Sequence, residues 1–372
     1  MKATIERAKL LKSLGHIHRV VERRNTIPIL SNVLLRAQGE TLTLKATDLD
    51  VEITEAIAAD VATPGATTVS AQLLYDITRK LPEGAEVGLE VDGEGRTLTV
   101  RAGRSRFALQ ALPASDFPDL ATGEFPIRFQ LDASALKQLI DRTQFAISTE
   151  ETRYYLNGIY LHIVAANTGP MLRAVATDGH RLAQAQLGAP EGASEMPGII
   201  VPRKTVGELQ KLAEIADGDV TIEVSDTKIR TTIGPIVLTS KLIDGTFPPY
   251  ERVIPQANDK VLKVDRGEFS DAVDRVSTIA SERGRAVKLA LSDGRMILTV
   301  NNPDSGSATE EIGVQFDSAP LEIGFNSRYL LDIGAQLKSG TAIFRLADPG
   351  SPTLIQDEGE NDALYVLMPM RV

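Results

Sequence analysis

Three stretches of the 372-residue chain share one grammar, and this repetition limits the possible folds more than any bulk property. The first runs from Val69 to Leu81, turns at Pro82-Glu83-Gly84 and continues from Ala85 to Val91. The second runs from Val201 to Leu209, turns at Asp217-Gly218 and continues from Val220 to Val224. The third runs from Phe325 to Ile333, turns at Ser339-Gly340 and continues from Ala342 to Leu346. In each, Ser70, Pro202 or Asn326 opens a helix, as N-cap and first-turn chemistry favours. Apolar residues then follow at helical spacing, and a Gly-containing turn leads into an alternating strand. A second feature also recurs. Leu42 to Asp48 is echoed by Leu172 to Asp178 and more weakly by Ile297 to Asn302, each a strand closed by an Asx or Thr turn signal. Phe107-Ala108-Leu109-Gln110 runs to Phe117-Pro118, and Ile236-Val237-Leu238-Thr239 runs to Phe247-Pro248. The last repeat ends instead in Tyr365 to Met370.

The period, roughly 125–130 residues, is far longer than the roughly 20–50 of solenoids, so the chain reads as three tandem copies of one domain. The expected boundaries are 1–125, 126–258 and 259–372. Breaks near residues 121–126 and 256–260, where Pro, Gly and polar residues gather, mark the linkers. The opening helices are expected over 5–24, 132–147 and 265–281. Alternating strands dominate the rest, which predicts an α+β fold with antiparallel sheets that bury one face.

No apolar run approaches the roughly 20 residues of a membrane helix. The start, Met1-Lys2-Ala3-Thr4-Ile5-Glu6-Arg7, goes straight into a charged pattern, so no signal peptide is expected. The absence of cysteine excludes disulfides, thiolate metal sites and a Cys nucleophile, and it suits a reducing cytoplasm. A net charge of −10 argues against nucleic acid unless positive charge is segregated. It is. The six expected helices, taken as 5–24, 70–80, 132–147, 202–214, 265–285 and 326–338, hold 19 Lys/Arg against 13 Asp/Glu, a net of +6, and the remainder carries −16. A solvated helix face gives the same bias. If the helices line a ring, geometry selects the oligomer. Six helices of about 10 Å each would close a hole of only about 9 Å, whereas twelve leave about 28 Å, enough for duplex and water. A three-domain chain lining such a ring needs a second copy, joined head to tail.

Catalysis is not expected. There is no Gly-x-Ser-x-Gly elbow, no phosphate-cradling Gly-x-x-x-x-Gly-Lys-Ser/Thr loop and no His-Glu-x-x-His helix. His16 and His18 are two apart on a helix and face different ways, His162 reads as an ordinary strand residue, and Asp92-Gly93-Glu94-Gly95 reads as a hairpin turn. No metal and no cofactor is expected. A monomeric scaffold of repeated domains is the competing reading.

Five stretches carry a resemblance: Leu81 to Glu86, Arg153-Tyr154-Tyr155-Leu156-Asn157-Gly158, Ala176-Thr177-Asp178-Gly179-His180-Arg181-Leu182, Ile323 to Ser327 and Met368-Pro369-Met370-Arg371-Val372. In order, on a triplicated chain, they resemble the bacterial DNA sliding clamps, the beta subunits of DNA polymerase III, over essentially the whole length. The resemblance implies three clamp domains with sheets outside and two helices per domain lining a pore, closed as a head-to-tail homodimer around duplex DNA. It implies DNA contacts at Arg24, Tyr154 and Tyr155. Arg79, Lys80, Lys137, Arg203, Lys204 and Arg275 would add sequence-independent phosphate contacts. Glu150, where the family often has a neutral residue, would weaken the contact beside Tyr154.

It further implies a cleft that binds short linear peptides of replicative and translesion polymerases, the clamp loader, and mismatch-repair or initiation-control proteins. The matching positions are Leu156, Thr177, Gly179, His180, Arg181, Leu182, Pro248, Arg252, Val253, Val366, Met368, Pro369, Met370 and Arg371. Met and Leu would form an adaptable apolar floor, and Arg181 and Arg252 a rim that holds acidic or carbonyl groups. Pro349-Gly350-Ser351-Pro352 alters one wall. At the dimer interface Phe107 and Leu109 would meet Thr278 and Ile279 of the other copy. Thr278 replaces a bulkier aliphatic residue, with a loss of about 1 kcal/mol of burial.

Overall fold

The computed structural model describes residues 1–22, 26–120, 122–281 and 285–372. The first repeat holds β1 (Lys2–Glu6), α1 (Arg7–Ile17), β2 (Asn32–Gln38), β3 (Thr41–Thr47), β4 (Val51–Ala58), β5 (Asp60–Thr63), β6 (Gly65–Ser70), α2 (Ala71–Lys80), β7 (Glu86–Val91), β8 (Thr97–Ala102) and β9 (Ser105–Leu112). The second holds β10 (Ile127–Asp132), α3 (Ala133–Asp141), β11 (Gly158–Ala166), β12 (Gly169–Thr177), β13 (Arg181–Gly188), β14 (Ile199–Pro202), α4 (Arg203–Glu214), β15 (Asp219–Val224), β16 (Lys228–Ile233) and β17 (Ile236–Lys241). The third holds β18 (Lys260–Asp265), α5 (Arg266–Ser277), β19 (Ala286–Ser292), β20 (Arg295–Asn302), β21 (Gly306–Gly313), β22 (Gln315–Phe316), β23 (Leu321–Asn326), α6 (Ser327–Gly334), β24 (Thr341–Leu346), β25 (Thr353–Asp357) and β26 (Ala363–Leu367).

The contacts gather the chain into two compact units, and the second repeat is shared between them. One unit comprises residues 1–134, 191–193 and 207–242. Its thirteen strands run β10-β15-β16-β17-β4-β3-β2-β6-β9-β8-β7-β1-β5. The other comprises 135–190, 194–206 and 243–372. It holds a nine-stranded sheet, β14-β11-β12-β13-β26-β25-β24-β18-β22, and a four-stranded sheet, β21-β20-β19-β23. Sheets cross the repeat boundaries. β17 pairs with β4, with Leu238 opposite Ile53, and β26 pairs with β13, with Val366 opposite Leu182. Backbone hydrogen bonds therefore run across the expected 125/126 and 258/259 limits.

In the first unit α1 packs on α2 and buries Leu10, Leu14 and Ile17 completely, against strand residues such as Leu42, Leu44 and Ile53. In the second, α5 and α6 bury Phe269, Val273, Leu330 and Ile333, and Phe269 meets Phe344 edge-on. The caps read from sequence are in place at two helices. Ser70 Oγ accepts from the Leu73 amide, and Asn326 Oδ1 accepts from the Arg328 and Tyr329 amides. The three Asx turns also hold, with Asp48, Asp178 and Asn302 each accepting backbone amides through Oδ1.

The opening helices are shorter than expected: α1 stops at Ile17, α3 at Asp141 and α5 at Ser277. One cause serves all three. A side chain takes a carbonyl of the last turn, which competes with helix continuation. His18 Nδ1 binds the Leu14 carbonyl at 2.7 Å while its ring stacks on Tyr75, Thr143 Oγ1 donates to Leu139, and Ser277 and Thr278 both donate to Asp274.

Candidate DNA and peptide interfaces

The second unit contains an apolar cluster built from six segments. Leu156 ends the 3-10 turn Glu151–Leu156, Val175 comes from β12, Leu182 from β13, Ile200 from β14 and Val366 from β26; Phe247 and Tyr250 precede β18. These side chains are nearly inaccessible. Around them lie large apolar groups that water reaches, with Val253 50% and Met368 40% exposed. Pro248, Pro369 and Met370 are half-buried, and Arg252 and Arg371 are exposed. A buried floor with an apolar rim is the form expected of a peptide groove. The structure thus brings Leu156, Leu182 and Val366 into one cluster.

Thr177, Gly179, His180 and Arg181 shape the wall. The Thr177 hydroxyl donates to the Arg181 carbonyl at 2.7 Å and accepts from the Gly179 amide at 3.1 Å. Gly179 has φ +88°, and the Arg153 guanidinium occupies the place a Cβ would need. The His180 carbonyl accepts from the Met368 amide at 2.9 Å, which ties the C-terminal tail to β13. Arg181 differs from its expected rim role. It donates to Asp178 Oδ2 at 3.1 Å, to Asp332 Oδ2 at 2.5 Å and to the Phe145 carbonyl at 2.6 Å, with Tyr329 stacked on it. Its side chain is only 10% exposed, so its charge is satisfied inside the protein.

Sequence reading missed the layer behind the floor. The Tyr250 hydroxyl accepts from Arg173 at 3.0 Å and bonds His162 Nε2 at 3.1 Å, while Arg173 grips Gln186 Oε1 through two nitrogens. His162 is therefore a buried network member. Burial, helped by the Arg173 charge, pushes its imidazole down to about 4, and burial pushes Tyr250 up to about 12. Only the alternation around Leu172 to Ala176 and the Phe247-Pro248-Pro249-Tyr250 run hinted at this layer. The imidazole titrates near 6.5 when unfolded, so the unfolded chain gains the proton first as pH falls. The stability held by neutral His162 is thus complete above 6.5 and is lost toward pH 4. We expect this group to cost the fold about 1 kcal/mol between pH 7 and pH 5. His162→Gln, compared with the parent by urea midpoints at both pH values, should remove that share.

The candidate DNA residues fall on both units. In the first, Arg79 and Lys80 end α2, exposed, with Arg79 3.5 Å from Asp76. Arg24 lies outside the described residues. In the second, Tyr154 is 52% exposed and meets the half-buried Tyr155 edge to face. Arg203 opens α4 on the surface and Lys204 is half-buried. Lys137 pairs with Asp141 at 2.5 Å. Arg275 binds both carboxylate oxygens of Glu310 on β21, so it is turned toward that strand. Glu150 is held in its charged form by Arg153, which reaches its two oxygens at 2.9 and 2.6 Å. Its negative charge beside Tyr154 is therefore already offset.

Of the expected dimer residues, Phe107 is 36% exposed and Thr278 is exposed, while Ile279 is half-buried with its carbonyl held by Asn302. Leu109 is 6% exposed and stands opposite Leu98 in its own sheet, so there β9 offers backbone more than side chain. Pro349-Gly350-Ser351-Pro352 follows an Asx turn on Asp348, which accepts from Gly350 and Ser351. Among the described residues no helix is long and apolar enough to cross a membrane, and no three His, Cys, Asp or Glu side chains are grouped to hold a metal ion.

Comparison with known proteins agrees with this geometry along the entire chain. Residues 1–121, 130–249 and 251–371 match the models of the N-terminal, central and C-terminal domains of the DNA polymerase III beta subunit. The chain is 55% identical to the beta sliding clamp of Caulobacter vibrioides and 40% identical to that of Escherichia coli, covering 100% of both chains in each case. A sliding clamp from Bartonella birtlesii, crystallised with griselimycin, is 58% identical with a TM-score of 0.97, and the pol III beta of Caulobacter crescentus is 55% identical with a TM-score of 0.95; each covers 100% of both chains. With its three tandem clamp domains, the chain belongs to the DNA polymerase III beta subunit family, the bacterial sliding clamps.

Proposed function

We propose that this chain is a DNA polymerase processivity factor, non-catalytic and cytoplasmic, that encircles duplex DNA as a homodimer and slides without sequence preference. The observation that carries the ring is a pair of unsatisfied strand edges. In two places the last strand of one repeat pairs with the fourth strand of the repeat before it: β17 with β4, and β26 with β13. The same rule leaves β9 and β21 over. Among the described residues β9 meets β6 only at Ala111 and Leu112, and β21 pairs only with β20. An exposed edge invites another strand, and a second copy supplies it at both ends.

Register follows from the equivalence. Ser105 leaves its hairpin turn as Ile236 leaves its own, and Glu310 stands against Leu298 as Glu55 stands against Leu44. Ile236 pairs with Glu55, so Ser105 should oppose Glu310 and Phe107 should oppose Ala308. That places Arg104 opposite Glu311 of the second copy and Arg106 diagonal to it on the same face, with α5 and its Thr278-Ile279 end nearby. The test is topological. The protein is loaded onto nicked circular DNA, which is then linearised. Run-off from the linear form and retention on the circle are expected; retention that follows salt alone would sink the ring.

The apolar cleft is the tether for short peptides of replicative and translesion polymerases, the clamp loader, and mismatch-repair or initiation-control proteins. Its outer lip is the C-terminal tail, docked by the Met370 amide on the Gly324 carbonyl at 2.8 Å. A methyl at Gly324 would stand 2.7 Å from the Met370 carbonyl and collide with Val372. Gly324→Ala should therefore release the tail and weaken peptide binding about tenfold, about 1.4 kcal/mol, with the dimer intact. Fluorescence anisotropy with a labelled peptide measures this; unchanged affinity would remove the tail from the cleft.

A further inference from the structure

Apart from the apolar cleft, the second unit has a recess of about 590 Å³ with polar walls. Its carboxylates are Glu150, Asp178 and Asp332, and each is already answered, Glu150 by Arg153 and the other two by Arg181. Its remaining cations are Arg203, Arg285 and Arg328. None of these three is ion-paired with a carboxylate among the described residues. Arg153 and Arg181 leave one of the three carboxylate charges unmatched, so the other three guanidinium groups give the recess a net charge of about +2.

Arg285 makes the arrangement specific. Its φ is +46°, the left-handed region where a Cβ is disfavoured and glycine is at ease. The backbone is locked there, with the Arg285 amide donating to Ser281 at 3.0 Å and its carbonyl accepting from Ser327 at 2.8 Å. A strained residue of this kind signals a demand on its side chain. Arginine is also the side chain whose planar fork matches phosphate oxygens. Glu150, on the recess wall, is the N-cap of the segment that carries Tyr154, whose ring is half exposed. Guanidinium groups in a recess and an exposed ring on the segment that starts from its wall are the two elements with which unpaired nucleotides are bound, backbone to the cations and base to the ring.

We propose that this recess is a phosphate site, in which Arg203, Arg285 and Arg328 hold a backbone phosphate of an unpaired nucleic-acid strand. The proposal rests on the DNA-clamp reading and deepens it. A phosphate seated in a cavity is fixed, whereas sliding on duplex needs loose surface contacts. The recess therefore serves the clamp where a single strand leaves the duplex.

The test uses the intact dimer and three probes: a labelled single-stranded oligonucleotide, the matching duplex, and sodium tripolyphosphate as competitor. Arg285→Gly suits the backbone, so it should fold at least as well as the parent by thermal melting. It should weaken single-strand binding about fivefold, Arg328→Ser likewise, and the pair should lower the slope of log affinity against log salt by about 0.7 for the lost phosphate contact. Lys263→Ser, an exposed cation paired with Glu358, controls for net charge and should change nothing. Retention on nicked circles and peptide binding should survive in all variants, so failure of the clamp reading would show in the parent protein and not here. Unchanged single-strand affinity in the double variant would overturn the site. So would equal losses for single strand and duplex, or tripolyphosphate binding at the same arginines with no preference for a strand.

Discussion

Glu310→Lys combined with Glu311→Lys should leave a folded chain that no longer dimerises at micromolar concentration. The edge register sets Glu311 opposite Arg104 and diagonal to Arg106 of the second copy, with Glu310 at the next position on the same strand. Reversal replaces attraction with like charges held together by a strand ladder, which costs several kcal/mol. Even about 3 kcal/mol raises the dimer dissociation constant more than about 100-fold. The fold should be spared, because among the described residues each acid is ion-paired with an exposed arginine alone: Glu310 with Arg275, and Glu311 with Arg295 at 3.8 Å. Such exposed pairs contribute little to stability. Sedimentation velocity should show one 40.1 kDa species, and retention on circular DNA should vanish. Adding Arg104→Glu and Arg106→Glu restores opposite signs across the seam and should restore both readings. A dimer indifferent to the reversal, or a monomer that the second pair fails to rescue, would show that these edges do not meet.

Features that depend on a few neighbouring residues are legible in the sequence itself. Ser70 and Asn326 cap as their chemistry dictates, and Asp48, Asp178 and Asn302 close the same turn in each repeat. Helix ends are harder, because the termination at Ile17 depends on a His18 ring stacked on Tyr75, far away in sequence. The cleft is half legible. Leu156, Leu182 and Val366 are reached through the resemblance to the sliding clamps, but the Tyr250, Arg173 and His162 network joins strands whose proximity no local signal encodes. Arg181 shows the same limit. A basic residue in a turn reads as a rim group, and only the fold brings Asp332 to it from 151 positions away. The seam between repeats is invisible for the opposite reason: backbone pairing of β17 with β4 is nearly indifferent to side-chain identity.

Arg181→Ala should destabilise the second unit by about 3 kcal/mol, the cost of opening a mostly buried ion cluster by removing one partner. Asp178 and Asp332 would keep their charges with side chains only 16% and 31% exposed, and the Phe145 carbonyl and the Tyr329 face would lose their cation. Asp178 also holds the turn through the His180 and Arg181 amides, so the strain falls on the start of β13, next to Leu182 in the cleft floor. Denaturant midpoints should fall steeply, and peptide affinity should fall as a consequence. Arg181→Lys keeps the charge but not the three-way fork, and should recover less than half the loss. Arg252→Ala separates the two ways a cleft arginine can act. Its side chain is exposed, so it should lower peptide affinity with a midpoint change within about 0.5 kcal/mol. If Arg181→Ala behaved like Arg252→Ala, with affinity lost and stability kept, Arg181 would be a ligand contact after all, and the buried cluster would have to be held by the carboxylates alone, which their mutual repulsion forbids.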